Sequence, residues 1–117
     1  MKTIEHQNRK YTLLGDIQAS TFLMYLVDES NPEDYKLIYQ KLSDKNHFCM
    51  IVVAIHDWQG ELSPWAAPAI FGKHDFAGNA SLLLSELERF WDWFQSNYHV
   101  ETDQLYLCGY SLAGLFA

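Results

Sequence analysis

The sequence predicts an α/β fold, a three-layer sandwich in which helices cover both faces of a mostly parallel sheet. Apolar runs of strand length alternate along the chain with longer segments of helical periodicity. The strongest run, residues 48–55, is apolar on both faces, as a central strand of a parallel sheet must be. Strands that alternate with helices are joined by right-handed crossovers, so we expect parallel neighbours.

The first part of the chain supplies two further strands and a helix. Residues 9–15 alternate weakly between apolar and polar side chains and suit an exposed edge strand, whereas residues 21–27 form an apolar run of strand length. Asn31 is the expected N-cap and Pro32 the first residue of a helix over residues 32–42. The side chains that this helix is expected to bury are Tyr35, Ile38 and Leu42.

The second part of the chain predicts a long helix and a last strand. Asn79 is the expected N-cap of an amphipathic helix over residues 80–97. Residues 104–108 form the apolar strand that follows it. The apolar stripe of the helix comprises Leu83, Leu87, Phe90, Trp91 and Phe94.

Length and composition narrow the class of protein. The 117 residues suit one domain, residues 1–117, and the 49% hydrophobic content excludes a disordered segment. The net charge is −7, and the eight Lys and Arg residues are spread without a cluster, so we expect no nucleic-acid and no membrane partner. The N-terminus has no apolar leader segment, which favours a soluble, cytoplasmic protein.

The cysteines predict neither a disulfide nor a metal site. Cys49 and Cys108 lie inside apolar strand-like runs, where a thiol acts as a small core residue. No pair of Cys or His residues has the spacing of metal ligands. We therefore expect a reduced protein without a metal or an organic cofactor.

The motif that carries chemistry follows the last predicted strand. Residues 109–114, Gly-Tyr-Ser-Leu-Ala-Gly, have small residues two positions to either side of Ser111. A strand, a small-x-Ser-x-small turn and a helix-like start are typical of a nucleophile elbow, whose sharp turn excludes larger side chains at these positions. Such an elbow exposes the Ser111 hydroxyl at the carboxyl edge of a sheet and aims the N–H of Leu112 at a developing oxyanion.

The order of elements from residue 22 to residue 117 resembles the esterase D-like branch of the α/β-hydrolase fold. In that family the hexad around the nucleophile is usually Gly-x-Ser-x-Gly-Gly, and this chain has Ala113 in place of the first of the two final glycines. The segments that carry the resemblance are residues 48–57, which end in His56-Asp57, residues 75–98 ahead of the nucleophile strand, and residues 109–114.

The resemblance implies a serine hydrolase that acts on carboxylic esters, with Ser111 as the catalytic nucleophile. The chain then corresponds to the N-terminal portion of an α/β-hydrolase domain, truncated after the nucleophile elbow. In this fold the acid and the base follow the nucleophile in the order Ser, Asp or Glu, His, so both are expected downstream of Ala117 and the chain alone is expected to be inactive. In the family's strand order the strand over residues 104–108 pairs with a later one, which predicts an exposed edge here and self-association.

The second donor of the oxyanion hole is a departure from the family. The family usually has His-Gly after its third strand, where a backbone N–H completes the hole. Here the corresponding strand is followed by Asp28 and Glu29. Because a backbone donor does not depend on the side chain, the N–H of Asp28 or Glu29 is expected to act with that of Leu112.

Two other groups of residues are candidates for the site. His56 ends a strand at the carboxyl edge, and His74 lies in the long loop predicted over residues 56–78; either is an alternative base within the chain. The other histidines are less suited, because His6 is expected in a disordered start, and His47 and His99 at the amino ends of strands. The long loop also carries aromatic side chains that suit a wall for an acyl or alkyl group, or that simply pack on the domain. The predicted substrate-binding residues are Trp58, Trp65 and Phe71.

Two other classes of function fit the same sequence. The chain is alternatively a catalytically inactive fragment that serves as an interaction or structural module. It is otherwise a non-hydrolase α/β binding domain in which the turn around Ser111 has no catalytic role. Labelling of Ser111 by a fluorophosphonate would favour the esterase over both.

Overall fold

The computed structural model describes residues 2–27, 32–44, 47–54, 76–100 and 104–109, without the side chains of residues 76–81 and 109. Within these ranges the chain forms five strands and two helices, so the predicted α/β class is confirmed. In chain order the elements are β1 (Lys2–His6), β2 (Arg9–Leu14), β3 (Phe22–Val27), α1 (Pro32–Ser43), β4 (Cys49–Ala54), α2 (Phe76–Tyr98) and β5 (Leu105–Gly109).

The five strands form one sheet in the order β1-β2-β4-β3-β5. Strand β3 pairs in parallel with β4 on one side and with β5 on the other, whereas β2 is antiparallel to both β1 and β4. The sheet is therefore mixed, which corrects the mostly parallel sheet that the sequence predicts. The reason is local, because β1 and β2 are joined by the two-residue turn Gln7-Asn8, both with positive φ, and so short a connection joins only antiparallel strands.

Strand β2 is an interior strand, which corrects the exposed edge predicted over residues 9–15. It lies between β1 and β4, and four of its six side chains are buried. The edge position belongs to β1, whose residues were expected to be disordered. His6 ends this strand and contacts the ring of Trp93 at 4.8 Å between centroids.

Each face of the sheet is covered by one helix, which gives the three predicted layers. Helix α2 packs on one face and α1 on the other, because the central strands present apolar side chains to both sides. The core on the α2 side includes Tyr11, Phe22, Met24, Leu26, Ile51, Val53, Leu83, Leu87, Phe90 and Phe94. The core on the α1 side includes Leu14, Tyr25, Val27, Tyr35, Phe48, Met50 and Val52.

Helix α1 begins at Pro32, as predicted, but buries less than the sequence suggests. Tyr35 is buried and Ile38 packs against the α1-side core. Leu42 is exposed, which contradicts its predicted burial. Its side chain borders an open pocket near the end of the helix and does not reach the core.

Helix α2 begins one turn before the predicted start. Asn79 therefore lies inside the helix and is not its N-cap. The predicted stripe is confirmed, with Trp91 partly buried and its other four members buried. The ring of Phe90 stacks on Tyr11 at 3.7 Å between centroids, and this contact joins the middle of the helix to the interior strand β2.

A buried ion pair also joins α2 to β2. Arg9 Nη1 donates a hydrogen bond of 3.1 Å to Glu86 Oε2, and both side chains are buried. The other carboxylate oxygen of Glu86 accepts a hydrogen bond from Arg89, one turn further along the helix, whose side chain is 71% exposed. The carboxylate thus bridges two guanidinium groups, one inside the protein and one at its surface.

The connection from β2 to β3 passes close to α1. Gly15 has φ +101°, and a Cβ atom there would lie 2.6 Å from the carbonyl oxygen of Phe48 and 2.7 Å from the hydroxyl of Tyr39. Only glycine combines this backbone conformation with so close an approach. The chain can therefore leave β2 beside the start of β4 and turn into β3.

We predict that Glu86→Gln lowers the free energy of unfolding by about 3–5 kcal/mol, because it removes the counter-charge of a buried guanidinium. The matched change Arg89→Ala, which removes the exposed partner of the same carboxylate, is expected to cost at most about 1 kcal/mol. Urea unfolding followed by circular dichroism measures both. Equal losses for the two variants would contradict the assignment of the stabilisation to the buried pair.

Candidate functional site

Three parallel strands end side by side at one edge of the sheet. Val27 at the end of β3 pairs with Ala54 at the end of β4, and Leu26 pairs with Gly109 at the end of β5. Strand β3 lies between the other two, so the backbone leaves the sheet at three neighbouring points. In open α/β sheets this carboxyl edge is where ligands bind.

The predicted site residues follow these strand ends in the sequence but lie outside the described residues. Asp28 and Glu29 come directly after β3, and Ser111 and Leu112 follow the end of β5 by two and three residues. The predicted wall and the alternative bases come after β4 in the chain. The residues concerned are Asp28, Glu29, His56, Trp58, Trp65, Phe71, His74, Ser111 and Leu112.

Hydrogen bonds at the start of β5 hold its register against β3. The backbone N–H of Phe22 donates to the carbonyl oxygen of Gln104 at 2.8 Å, and the hydroxyl of Thr21 donates to the Gln104 side-chain oxygen at 2.9 Å. Side-chain contacts support the same position, because Leu105 packs against the α2-side core and Cys108 against the α1-side core. These contacts hold the position of β5 in the sheet at both ends of the strand.

The three described histidines lie away from the end of β5. His6 reaches the same edge of the sheet, but four strand spacings of about 4.8 Å separate β1 from β5, roughly 19 Å. His47 precedes β4 at the opposite edge, where its Nε2 lies 4.0 Å from Asp16. His99 follows α2 and precedes β5. None of these three imidazoles is within hydrogen-bond reach of a group at the end of β5.

The two cysteines are poor nucleophiles. Burial raises the pKa of the Cys49 thiol from 9.0 to about 12, and the negative charge of Asp16 adds a smaller contribution. Burial also raises the pKa of Cys108. Since the thiolate is the reactive form, the raised pKa values lower the reactivity of both thiols near neutral pH.

A pocket lies at the opposite, amino edge of the sheet and was not predicted from the sequence. It is open, with a volume of about 270 Å³, and apolar walls dominate it. The sequence offers no signal for it, because its walls come from distant segments that only the fold brings together. Its lining residues are Thr21, Leu23, Leu42, His47, Phe48 and Tyr106.

The described part of the chain offers neither a metal site nor a membrane-spanning helix. No group of three or more His, Cys, Asp or Glu side chains there is arranged to hold a metal ion. None of the helices in these ranges has the length and the apolar character needed to cross a membrane.

We predict that the protein loses stability as the pH rises above about 9, in part because of Cys49. The unfolded chain ionises this thiol at its ordinary pKa of 9.0, whereas the folded chain holds it neutral up to about 12. The free energy of unfolding is therefore unaffected by this group below about pH 9. Between about pH 9 and pH 12 the group lowers it by about 1.4 kcal/mol for each pH unit. Urea unfolding at several pH values should give a shallower decline for Cys49→Ala, and identical slopes would contradict the role of this thiol.

Comparison with known proteins leaves the family open. The chain matches no protein-family model, and no curated protein and no solved structure is significantly similar to it. The observations that bear on function are therefore the α/β fold and the geometry of the carboxyl edge.

Proposed function

We propose that this chain carries the nucleophile elbow of a serine hydrolase that acts on carboxylic esters and has the α/β-hydrolase fold. The observation that supports it is the parallel pairing of β3 with β5, in which Leu26 lies opposite Gly109. In α/β-hydrolases the oxyanion is bound by the N–H that follows the nucleophile and by an N–H from the loop after the third strand. These donors meet only if the third strand neighbours the strand of the elbow, as β3 and β5 do.

The proposed reaction begins with attack of the Ser111 hydroxyl on the ester carbonyl. A base takes the hydroxyl proton, and the N–H groups of Leu112 and of Asp28 or Glu29 bind the oxyanion that forms. Collapse of this intermediate expels the alcohol, which takes up the proton, and leaves an acyl group on Ser111. Water then attacks the acyl group and releases the carboxylic acid, so the reaction needs no metal and no cofactor.

The proposal requires a longer polypeptide, because in this fold the acid and the histidine follow the nucleophile in the chain. The described histidines do not replace them, since His6 lies roughly 19 Å from β5 by strand count and the others lie at the amino ends of strands. The substrate would meet the aromatic side chains that follow β4 in the sequence. Those proposed to contact its acyl or alkyl part are Trp58, Trp65 and Phe71.

An interaction module is the second candidate function. The observation that favours it is the exposed apolar strand β5 at one end of the sheet, with Tyr106 and Leu107 at the surface. In that case Ser111 has no catalytic role. A binding domain unrelated to hydrolases has no comparable support among the described residues.

We predict that Ser111 has a positive φ and that helical structure begins at Leu112, because a nucleophile elbow is a strained turn between a strand and a helix. Backbone chemical shifts of the 117-residue chain, measured by NMR over residues 104–117, test this directly. Gln7 and Asn8, whose φ values are positive, serve as internal references. An extended or ordinary helical conformation at Ser111 would remove the main support for the esterase.

The catalytic prediction has two arms. The 117-residue chain alone should hydrolyse p-nitrophenyl acetate negligibly, because loss of the triad partners leaves at most about 10³–10⁴ over water. In the longer polypeptide, Ser111→Ala should reduce kcat by a factor of roughly 10⁴ or more and change stability by less than about 0.5 kcal/mol. Release of p-nitrophenol and urea unfolding are the measurements.

The matched control is Ser96→Ala, because Ser96 is an exposed serine on α2 and should be neutral in both respects. Equal activity of the Ser111→Ala and Ser96→Ala proteins would refute the esterase. Rapid hydrolysis by the short chain that depends on Ser111 would instead assign the base to His56 or His74.

A further inference from the structure

The pocket at the amino edge of the sheet has the composition of a small-molecule site, with a few polar groups among apolar walls. This amino-edge pocket is lined by Thr21, Leu23, Leu42, His47, Phe48 and Tyr106. Its volume of about 270 Å³ exceeds the roughly 150 Å³ of an apolar cavity that holds benzene. The size therefore suits a molecule of two fused rings.

Neighbouring strands form the floor of the amino-edge pocket. Leu23 on β3 is the register partner of Tyr106 on β5. Both belong to the α1 side of the sheet, since Leu23 packs against the α1-side core, as does Cys108, two residues after Tyr106. Thr21 lies two residues before Leu23, and its carbonyl oxygen accepts a hydrogen bond of 3.0 Å from the N–H of Cys49. Hydrogen bonds of the sheet thus hold the floor in place.

Hydrophobic side chains from two further elements complete the walls. Phe48 is buried, and the ring of Tyr39 on α1 contacts its ring at 5.2 Å between centroids, so the position of Phe48 does not depend on a ligand. Leu42, at the end of α1, is 41% exposed, and Tyr106 on the floor is 60% exposed. A flat apolar ring in the pocket would remove part of both side chains from water, and it would contact aromatic walls.

The polar groups of the pocket favour a neutral ligand that carries a hydrogen-bond donor. The hydroxyl of Thr21 donates its proton to the side-chain oxygen of Gln104 at 2.9 Å, so its oxygen is left to accept a hydrogen bond. Among the six lining residues, His47 is the one that can be charged near neutral pH, and its Nε2 lies 4.0 Å from Asp16 Oδ2. Because Asp16 offsets a charge on His47 and the chain has a net charge of −7, an anion gains little here.

We propose that the amino-edge pocket binds a neutral bicyclic aromatic molecule with one N–H or O–H donor, of the size of indole. The ring then lies against Leu23 and Tyr106 and beneath Leu42, and the donor reaches the hydroxyl oxygen of Thr21. This site is compatible with the proposed esterase. A strand added beside β5 would pair with its backbone groups and would leave the face of the sheet that carries Tyr106.

The first test titrates indole into the 117-residue chain and follows the amide resonances of the six lining residues by NMR. A ligand of about nine non-hydrogen atoms should bind with a Kd of about 1 mM or lower. Leu42→Asp should weaken binding at least about tenfold, because the short side chain holds a charge at the apolar wall. Leu37→Asp is the matched control, since Leu37 is a 52% exposed leucine on the same helix and does not line the pocket. It should leave the Kd unchanged.

The second test identifies the hydrogen bond to Thr21. Benzofuran has the shape of indole but no donor, so it should bind about 3- to 10-fold more weakly, which corresponds to the loss of one hydrogen bond. In Thr21→Val, which keeps the shape of the side chain and removes the acceptor, indole and benzofuran should bind equally. An unchanged far-UV spectrum verifies that each variant is folded, and the comparison of the two ligands on the unmodified chain needs no variant.

Absence of saturable shifts at the lining residues would overturn the proposal, as would equal weakening by Leu42→Asp and Leu37→Asp, because the ligand then binds elsewhere. Equal binding of indole and benzofuran to the unmodified chain would refute the donor to Thr21. Tighter binding of indole-3-carboxylate than of indole would refute the neutral class of ligand. Hydrolysis is not a readout here, so the outcome is independent of the proposed esterase.

Discussion

The parallel pairing of β3 with strands on both sides is the constraint on which the rest of the structure depends. A strand that is hydrogen-bonded on both sides and covered on both faces must be apolar throughout, and β3 and β4 satisfy this requirement with buried side chains. Parallel neighbours need long connections, so a helix has to cross each face of the sheet. The same pairing aligns the ends of β3, β4 and β5 at one edge, which creates the only part of the described fold where a catalytic site of this class is expected.

The antiparallel half of the sheet has a different role, which is to hold α2 in place. Tyr11 and Arg9 on β2 contact α2 in two ways, through ring stacking on Phe90 and through the ion pair with Glu86. The first contact tolerates small displacements, whereas the second requires the two charges to meet inside the protein. Together they set the position of the long helix that precedes β5 in the chain, and so indirectly the position of β5.

The two candidate functions make different demands on β5. The esterase needs the carboxyl end of the strand, because Ser111 follows two residues after Gly109 in the sequence. An interaction module would instead use the lateral edge of β5, which pairs only with β3 among the described residues. A longer polypeptide that adds a strand beside β5 would be consistent with the esterase and would exclude an interaction through this edge.

The sequence alone determined the class of the fold and most of its elements, because these depend on local patterns. Apolar runs predicted β3, β4 and β5, and the helical stripe predicted which residues of α2 are buried, with boundaries that differ by a few residues at most. For the candidate site, the sequence shows the small-residue motif around Ser111. It does not show which strands are neighbours, and the mutual distance of Ser111 and Asp28 depends on that order.

Only the tertiary structure decided the strand order, the interior position of β2 and the place of β1 at the edge. Pairing partners are chosen by contacts between segments far apart in the chain, and no local pattern reports them. The weak alternation of residues 9–15 looked like an edge for this reason, since the pattern does not show that Arg9 is neutralised by Glu86, which lies 77 residues away. The exposure of Leu42 was hidden in the same way, because a helix has a periodic apolar face whether or not the sheet extends far enough to cover it.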